Sequence, residues 1–179
     1  MKKYKHSFLV SRFQPLHNGH KALIDKMISE SENATIVLGT AQESRTEKNP
    51  FTAEERIEMV KNLYKDNNNI NVFAINDLDY SENRYNYVNS NWSTYVIDNI
   101  TKNSPHFGKV EAFYCGGSFE GSWYENCGVV IEILDRTKQE GYCKISATEI
   151  REMIKNNNDD WKNYIPKENI ELIKKVLCN

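Results

Sequence analysis

Apolar residues in this chain fall into short runs, separated by longer stretches in which they recur every three or four positions. The first run, Phe8-Leu9-Val10, reads as a buried strand ended by Pro15; an amphipathic helix opens around Asn18 and covers His20 to Ser31. Ala34 to Gly39 predicts a second strand, closed by Gly39, and Ile70 to Ile75, Val110 to Cys115 and Val129 to Leu134 predict three more. Helical spacing covers Thr52 to Lys65 and Tyr87 to Ile100. After the fifth strand it continues over Ala147 to Asn156 and, behind Pro166, Lys167 to Leu177. Strands alternating with helices imply βαβ units: an α/β fold with a mostly parallel sheet, helices on both faces and a C-terminal helical segment. No repeat, linker or step in composition divides the chain, so residues 1–179 are expected to form one domain.

Composition changes this picture little. At 179 residues the chain can bury roughly 70% of its unfolded surface, and 39% hydrophobic with 27% charged residues suits a globular protein with a real core. A net charge of −2 argues against a general nucleic-acid surface or an acidic-membrane surface. The basic start, Lys2-Lys3-Tyr4-Lys5, precedes too short an apolar run for a signal peptide or a membrane span, which points to the cytoplasm. Cys115, Cys127, Cys143 and Cys178 lack any C-x-x-C spacing and read as reduced thiols. Thr52-Ala53-Glu54-Glu55 has the spacing of a capping box, followed by an inward face of Ile57, Val60 and Tyr64 with Met59 and Leu63 beside it. Arg56 in that first turn either faces solvent or braces the preceding loop.

The chemistry gathers at two helix starts. In Ser11-Arg12-Phe13-Gln14-Pro15-Leu16-His17-Asn18-Gly19-His20, two imidazoles and a guanidinium stand beside a helix N-terminus, where free N–H groups face anything bound at the carboxyl end of a sheet. Gly19, without a Cβ, would let a ligand close to the backbone. This is a setting for several phosphates. A zinc reading of His17 and His20 lacks further ligands, and no protein metal site is expected. Far downstream, Ser146-Ala147-Thr148-Glu149-Ile150-Arg151 again has capping-box spacing, so a well-started helix explains it on its own. Hydroxyls at a helix start with an arginine one turn in would also suit a phosphate chain. Trp92 shares helical spacing with Val88, Tyr95 and Val96, so core packing competes with ring stacking there. Asp77 and Asp79 read better as turn residues than as substrate ligands. For Arg45 and Lys48 a solvated charge and a site role stay open.

Together, R-F-Q-P-x-H-x-G-H near the start and I-S-x-T-x-x-R near the end resemble the HxGH nucleotidylyltransferase superfamily, and within it the archaeal-type nicotinamide-nucleotide adenylyltransferases. Leu38 to Arg45 resembles that family's G-S-A-Q-x-S loop, Asn49 to Arg56 its N-P-F-T-x-x-E-R segment, Asn91 to Val96 its tryptophan segment, and Trp161 to Val176 its closing helical region. The resemblance implies a Rossmann-like sheet, ATP and a pyridine mononucleotide as substrates, and suggests a homo-oligomer. It puts His17, His20, Arg12 and Arg151 at the phosphates as the catalytic set. Phe13, Gln14, Pro15, Gly19, Gly116, Gly117, Ser146 and Thr148 would complete the ATP site, with Lys48, Asn49 and Trp92 at the mononucleotide. The chain departs from the pattern at Ser11, where the family has glycine, and over the Tyr- and Asn-rich stretch 79–90, which is longer than the family's connection.

The phosphate of a mononucleotide is already an anionic nucleophile, and pyrophosphate with Mg²⁺ is a competent leaving group. No acid–base pair is therefore required. What the site must supply is alignment of two mutually repelling anions and donors for the phosphoryl oxygens. This predicts direct in-line transfer of AMP to nicotinamide mononucleotide, giving NAD and pyrophosphate, with Mg²⁺ carried mainly by phosphates and water. Nicotinic acid mononucleotide, another phosphorylated acceptor, or a nucleotide-binding regulator without turnover are the alternatives.

Overall fold

The computed structural model describes residues 1–78, 91–135 and 144–178. Five strands, β1 (Tyr4–Ser11), β2 (Ser31–Leu38), β3 (Ile70–Ala74), β4 (Ala112–Cys115) and β5 (Val130–Ile133), form one sheet in the order β3-β2-β1-β4-β5. Every pairing is parallel. Helices α1 (Asn18–Glu30), α2 (Ala53–Tyr64), α3 (Trp92–Asn103) and the short α4 (Ser118–Ser122) connect successive strands. The C-terminal segment carries α5 (Ala147–Lys155) and α6 (Ile170–Leu177). The strand order reverses direction at β1 and β4, so the crevice outside their carboxyl ends is where an open α/β sheet binds ligands.

The strands read as continuous apolar runs because both sheet faces are covered. Along β2, Ile36 and Leu38 enter one core with Leu9, Met27, Met59, Tyr114 and Ile150, while Val37 enters the other with Phe8, Val96, Ile100, Phe113 and Tyr124. The parallel α/β sheet expected from the alternation, and Rossmann-like by the family resemblance, is present, with longer first strands and one further short helix. β1 begins at Tyr4 and β2 at Ser31, and these early residues pair Tyr4 with Ser31 and His6 with Asn33. Polar residues such as His6, Ser7 and Ser31 hid these strand starts from a hydrophobicity pattern. α4 is too short to show a helical period. The predicted helix start at Tyr87, with Val88, Asp79, the stretch 79–90 and Cys143, lies outside the described residues, and α3 is described from Trp92. Cys115, Cys127 and Cys178 are free thiols. Among the described residues no helix is long and apolar enough to cross a membrane.

At the amino end of the sheet, His6 is fully buried, and its polar atoms are met one by one. Nδ1 lies 2.8 Å from the Gly108 carbonyl and so carries the proton, while Nε2 lies 2.8 Å from Thr35 Oγ1 and accepts from it. Thr35 in turn meets Ser104 Oγ at 3.1 Å, and Ser104 accepts from Asn71 Nδ2 at 2.8 Å. Burial lowers the His6 pKa from its ordinary 6.5, outweighing the Gly108 carbonyl and the nearby Glu111, which both favour the cation. The unfolded chain therefore binds a proton at higher pH than the folded one. This part of the stability is present above pH 6.5 and is lost as pH falls below it. Urea unfolding between pH 7.5 and 5 should show a declining stability that His6→Gln flattens. An unchanged slope in that variant would assign the decline to other groups.

Candidate active site

A cavity of about 430 Å³ opens at the carboxyl ends of the strands, walled by the turn after β1, the loops after β2 and β3, the starts of α3 and α5, and α4. It gathers Arg12, Phe13, Gln14, His17, His20, Lys48, Asn49, Trp92, Ser146, Thr148 and Arg151, residues far apart in the chain. Pro15, Gly19, Gly116 and Gly117, which the family resemblance placed at ATP, are not on this wall.

The local backbone sets the chemistry of the two histidines. His17 is the N-cap of α1, and its Nδ1 accepts from the Gly19 N–H at 3.1 Å. His20, at the third helical position, reaches back so that its Nδ1 accepts from the His17 N–H at 3.4 Å. An imidazole nitrogen that accepts a hydrogen bond carries no proton, so in each neutral ring the proton resides on Nε2. The rings stack with centroids 3.7 Å apart. Ser11 Oγ stands 3.4 Å from His20 Nε2, so the residue that departs from the family pattern meets the histidine pair directly. Gly19 gives its N–H to His17 instead of offering it to the cavity.

Several residues read as ligands also serve as fasteners. The Gln14 side chain donates to the Phe51 carbonyl at 3.1 Å and accepts from the Phe51 N–H at 2.9 Å, which ties the turn after β1 to the segment before α2. Arg151 donates to the Gln14 carbonyl at 2.7 Å and to Thr148 Oγ1 at 3.2 Å, docking α5 on the same turn. Ser146 caps α5, accepting from the Glu149 N–H at 3.2 Å and donating to the Glu149 carboxylate at 2.6 Å. Both expected capping boxes, at Thr52 and at Ser146, are formed. Asn49 donates to the Glu43 carboxylate within the loop after β2. Lys48 reaches the cavity wall, whereas Arg45 forms a two-pronged pair with Glu55 at 2.9 and 2.6 Å. Trp92 is 3% exposed and packs in the second core, yet it also lines the cavity, so the core and ligand readings meet in one side chain.

Beneath the cavity lies Arg56, fully buried, the residue for which sequence left two roles open. It braces. Its guanidinium donates to the carbonyls of Arg12 at 2.8 Å, Gly39 at 2.8 Å, Thr40 at 3.1 Å and Thr52 at 3.2 Å. Burial pulls its pKa down to about 10, against the attraction of Asp77, which leaves it a cation at neutral pH. Thr40 has φ +56°, a sparsely populated conformation for a β-branched residue, and Asp77 holds it there. The Asp77 carboxylate accepts from the Thr40 N–H at 3.0 Å and from its hydroxyl at 2.8 Å. Asp77 thus closes the β2 and β3 loops onto each other and stands on the cavity wall. The motif reading also passed over Glu120 and Trp123, both on the wall from α4. Their one sequence signal is position, just past the carboxyl end of a strand.

The family model described as cytidylyltransferase-like matches residues 8–153, and the chain belongs to this family of nucleotidyltransferases. Among curated relatives, it is 34% identical to the nicotinamide-nucleotide adenylyltransferase of Methanococcus aeolicus over 95% of this chain and 88% of that protein. It is 28% identical to the enzyme of the same name from Thermococcus kodakarensis over 96% of this chain and 84% of that one. Among solved structures, a bifunctional NMN adenylyltransferase/ADP ribose pyrophosphatase from Francisella tularensis, complexed with AMP and a manganese ion, shares the fold with a TM-score of 0.68. That match has 22% identity and covers 92% of this chain and 44% of the other.

Removing the Arg56 guanidinium takes a donor from four carbonyls on two loops, those of Gly39 and Thr40 in buried bonds, and hydrogen bonds to a charged group are worth roughly 1.5–3 kcal/mol each. Arg56→Ala should therefore lose about 3 kcal/mol or more of unfolding free energy in a urea titration. Arg56→Lys, which keeps the charge but not the fork, should fall between. A loss below about 1 kcal/mol for Arg56→Ala would contradict the bracing role.

Proposed function

We propose that this chain transfers the adenylyl group of ATP to nicotinamide mononucleotide, forming NAD and pyrophosphate. One observation carries the reading: a single cavity holds both the phosphate donors and the group of Lys48, Asn49 and Trp92. The name shared by the curated relatives supports it. In this reading Ser146, Thr148 and Arg151 hold the β- and γ-phosphates at the start of α5. His17 and His20 offer Nε2–H donors at the α-phosphate, Arg12 adds its charge, and Trp92 meets the pyridine ring.

The reaction is a displacement at phosphorus. A phosphate oxygen of the mononucleotide forms a bond to the α-phosphorus of ATP. The bond from that phosphorus to the bridging oxygen of the β-phosphate breaks, and the electron pair leaves with pyrophosphate. The nucleophile is an anion before it binds, so no side chain takes a proton from it. Imidazoles held as Nε2–H donors serve while neutral and need no change of protonation during the step. Their value is that they are already aimed when charge builds on the non-bridging oxygens. Mg²⁺ carried on the triphosphate would neutralise charge on the leaving pyrophosphate, with Ser146, Thr148 and Arg151 holding the phosphates that bear it.

Pyrophosphate release from Mg-ATP, run in parallel with nicotinamide mononucleotide, nicotinic acid mononucleotide and phosphopantetheine, tests the assignment. The expected outcome is turnover with nicotinamide mononucleotide. Silence with both pyridine nucleotides, while ATP still binds, would move the chain to another acceptor or to a regulatory role. His17→Asn keeps a good helix cap but removes the aimed Nε2 donor, and kcat should fall on the order of a hundredfold. Turnover within about threefold of the parent would remove His17 from the phosphate site.

A further inference from the structure

Three carboxylates reach a cavity wall otherwise rich in cations and hydrogen-bond donors: Glu43, Asp77 and Glu120. Two are committed to the frame. Glu43 accepts from Asn49 Nδ2, and Asp77 spends both oxygens on Thr40. Glu120 is different. Its side chain takes no hydrogen bond or ion pair among the described residues, and it is only part-buried. Its place is set by the chain just before it: α4 begins at Ser118, immediately after the turn that follows β4. Glu120 Oε2 lies 3.1 Å from where a Cβ on Gly117 would stand, so glycine at 117 leaves the room the carboxylate occupies.

A carboxylate without a protein partner in a pocket for polyphosphates is repelled by bare phosphate oxygens and suits hydrogen-bond donors of the substrate. On a nucleoside triphosphate these are the two ribose hydroxyls and the amine of the base. A vicinal diol presents two donors side by side to the two oxygens of one carboxylate. Trp123, three residues further along the chain, lies on the same cavity wall and brings an aromatic ring near Glu120. Sheet order separates the two substrates: β4 lies across β1 from β2 and β3, whose loops carry Lys48, Asn49 and Asp77. We propose that Glu120 binds the ribose hydroxyls of the ATP adenosine and makes the site selective for ribonucleotides, with Trp123 against the adenine ring. The inference rests on the ATP reading above and deepens it.

Calorimetric titration without any mononucleotide tests it, using Mg-ATP, Mg-2′,3′-dideoxy-ATP and Mg-inosine triphosphate against the parent, Glu120→Gln and Glu120→Ala. A site built to hydrogen-bond a hydroxyl rejects the analogue that lacks it, so the parent should prefer ATP over the dideoxy form by about tenfold or more. In Glu120→Ala that ratio should fall to within about twofold, with Glu120→Gln between, while the ratio of ATP to inosine triphosphate stays at the parent value. Equal binding of ATP and the dideoxy form by the parent would overturn the proposal, as would a preference that survives in Glu120→Ala. A change confined to the inosine ratio would hand Glu120 to the base and overturn it as well. The readout is binding, so absence of turnover with every acceptor would count against the proposed reaction, whereas these ratios alone decide the role of Glu120.

Discussion

The Arg56 guanidinium is the contact on which the rest of the site depends. It lies under the carboxyl ends of β1 and β2 and gathers the carbonyls of Arg12, in the turn after β1, and of Gly39, Thr40 and Thr52, at the two ends of the loop between β2 and α2. Carbonyls that face inward at a strand end need donors. One cation with five N–H groups meets that need and fixes the spacing between the turn bearing Arg12 and the loop bearing Lys48 and Asn49. Gln14 repeats the arrangement at Phe51, Arg151 at Gln14, and Asp77 at Thr40. The turn after β1, the loops after β2 and β3 and the start of α5, all on the cavity wall, are thereby tied to one another. Such cross-ties hold donors in place before a ligand arrives, which is where catalysis by alignment gains its rate.

The same economy explains why motif residues do two jobs. His17 is both a cap and a candidate donor, because the capping bond to Gly19 decides which ring nitrogen keeps the proton. Ser146 satisfies the start of α5 while standing on the cavity wall. Capping and anion binding draw on the same orphan N–H groups at a helix start, so the two roles coincide wherever a βα turn opens onto a ligand crevice.

How much of this was legible in the chain follows from which groups do the work. The five strands and the helix starts at Asn18, Thr52 and Ser146 were readable, because buried parallel strands are apolar throughout and capping boxes have a fixed spacing. The early residues of β1 and β2 were not. Ser7 and Ser31 are buried as polar groups, hydrogen-bonded to each other, and such pairing leaves no hydrophobic trace. In the site, the histidines, Arg12, Ser146, Thr148 and Arg151 announced themselves as side chains of suitable type at the right junctions. Sequence left the bracing by Arg56 as one of two readings and gave no sign of that by Gln14, because their partners are backbone carbonyls and amides, which every residue carries. Glu120 was hidden for another reason: a lone carboxylate becomes informative only when its neighbours are known to be cations and its fellow carboxylates are already engaged.

The central claim is that the site works by aligning two anions for one displacement, with no covalent enzyme intermediate. The stereochemical course at the α-phosphorus tests this most directly. With ATP chirally labelled by sulfur at that position, direct attack by the mononucleotide should give NAD of inverted configuration at that phosphorus. Retention would require two displacements, and so an adenylylated side chain, which would contradict the account.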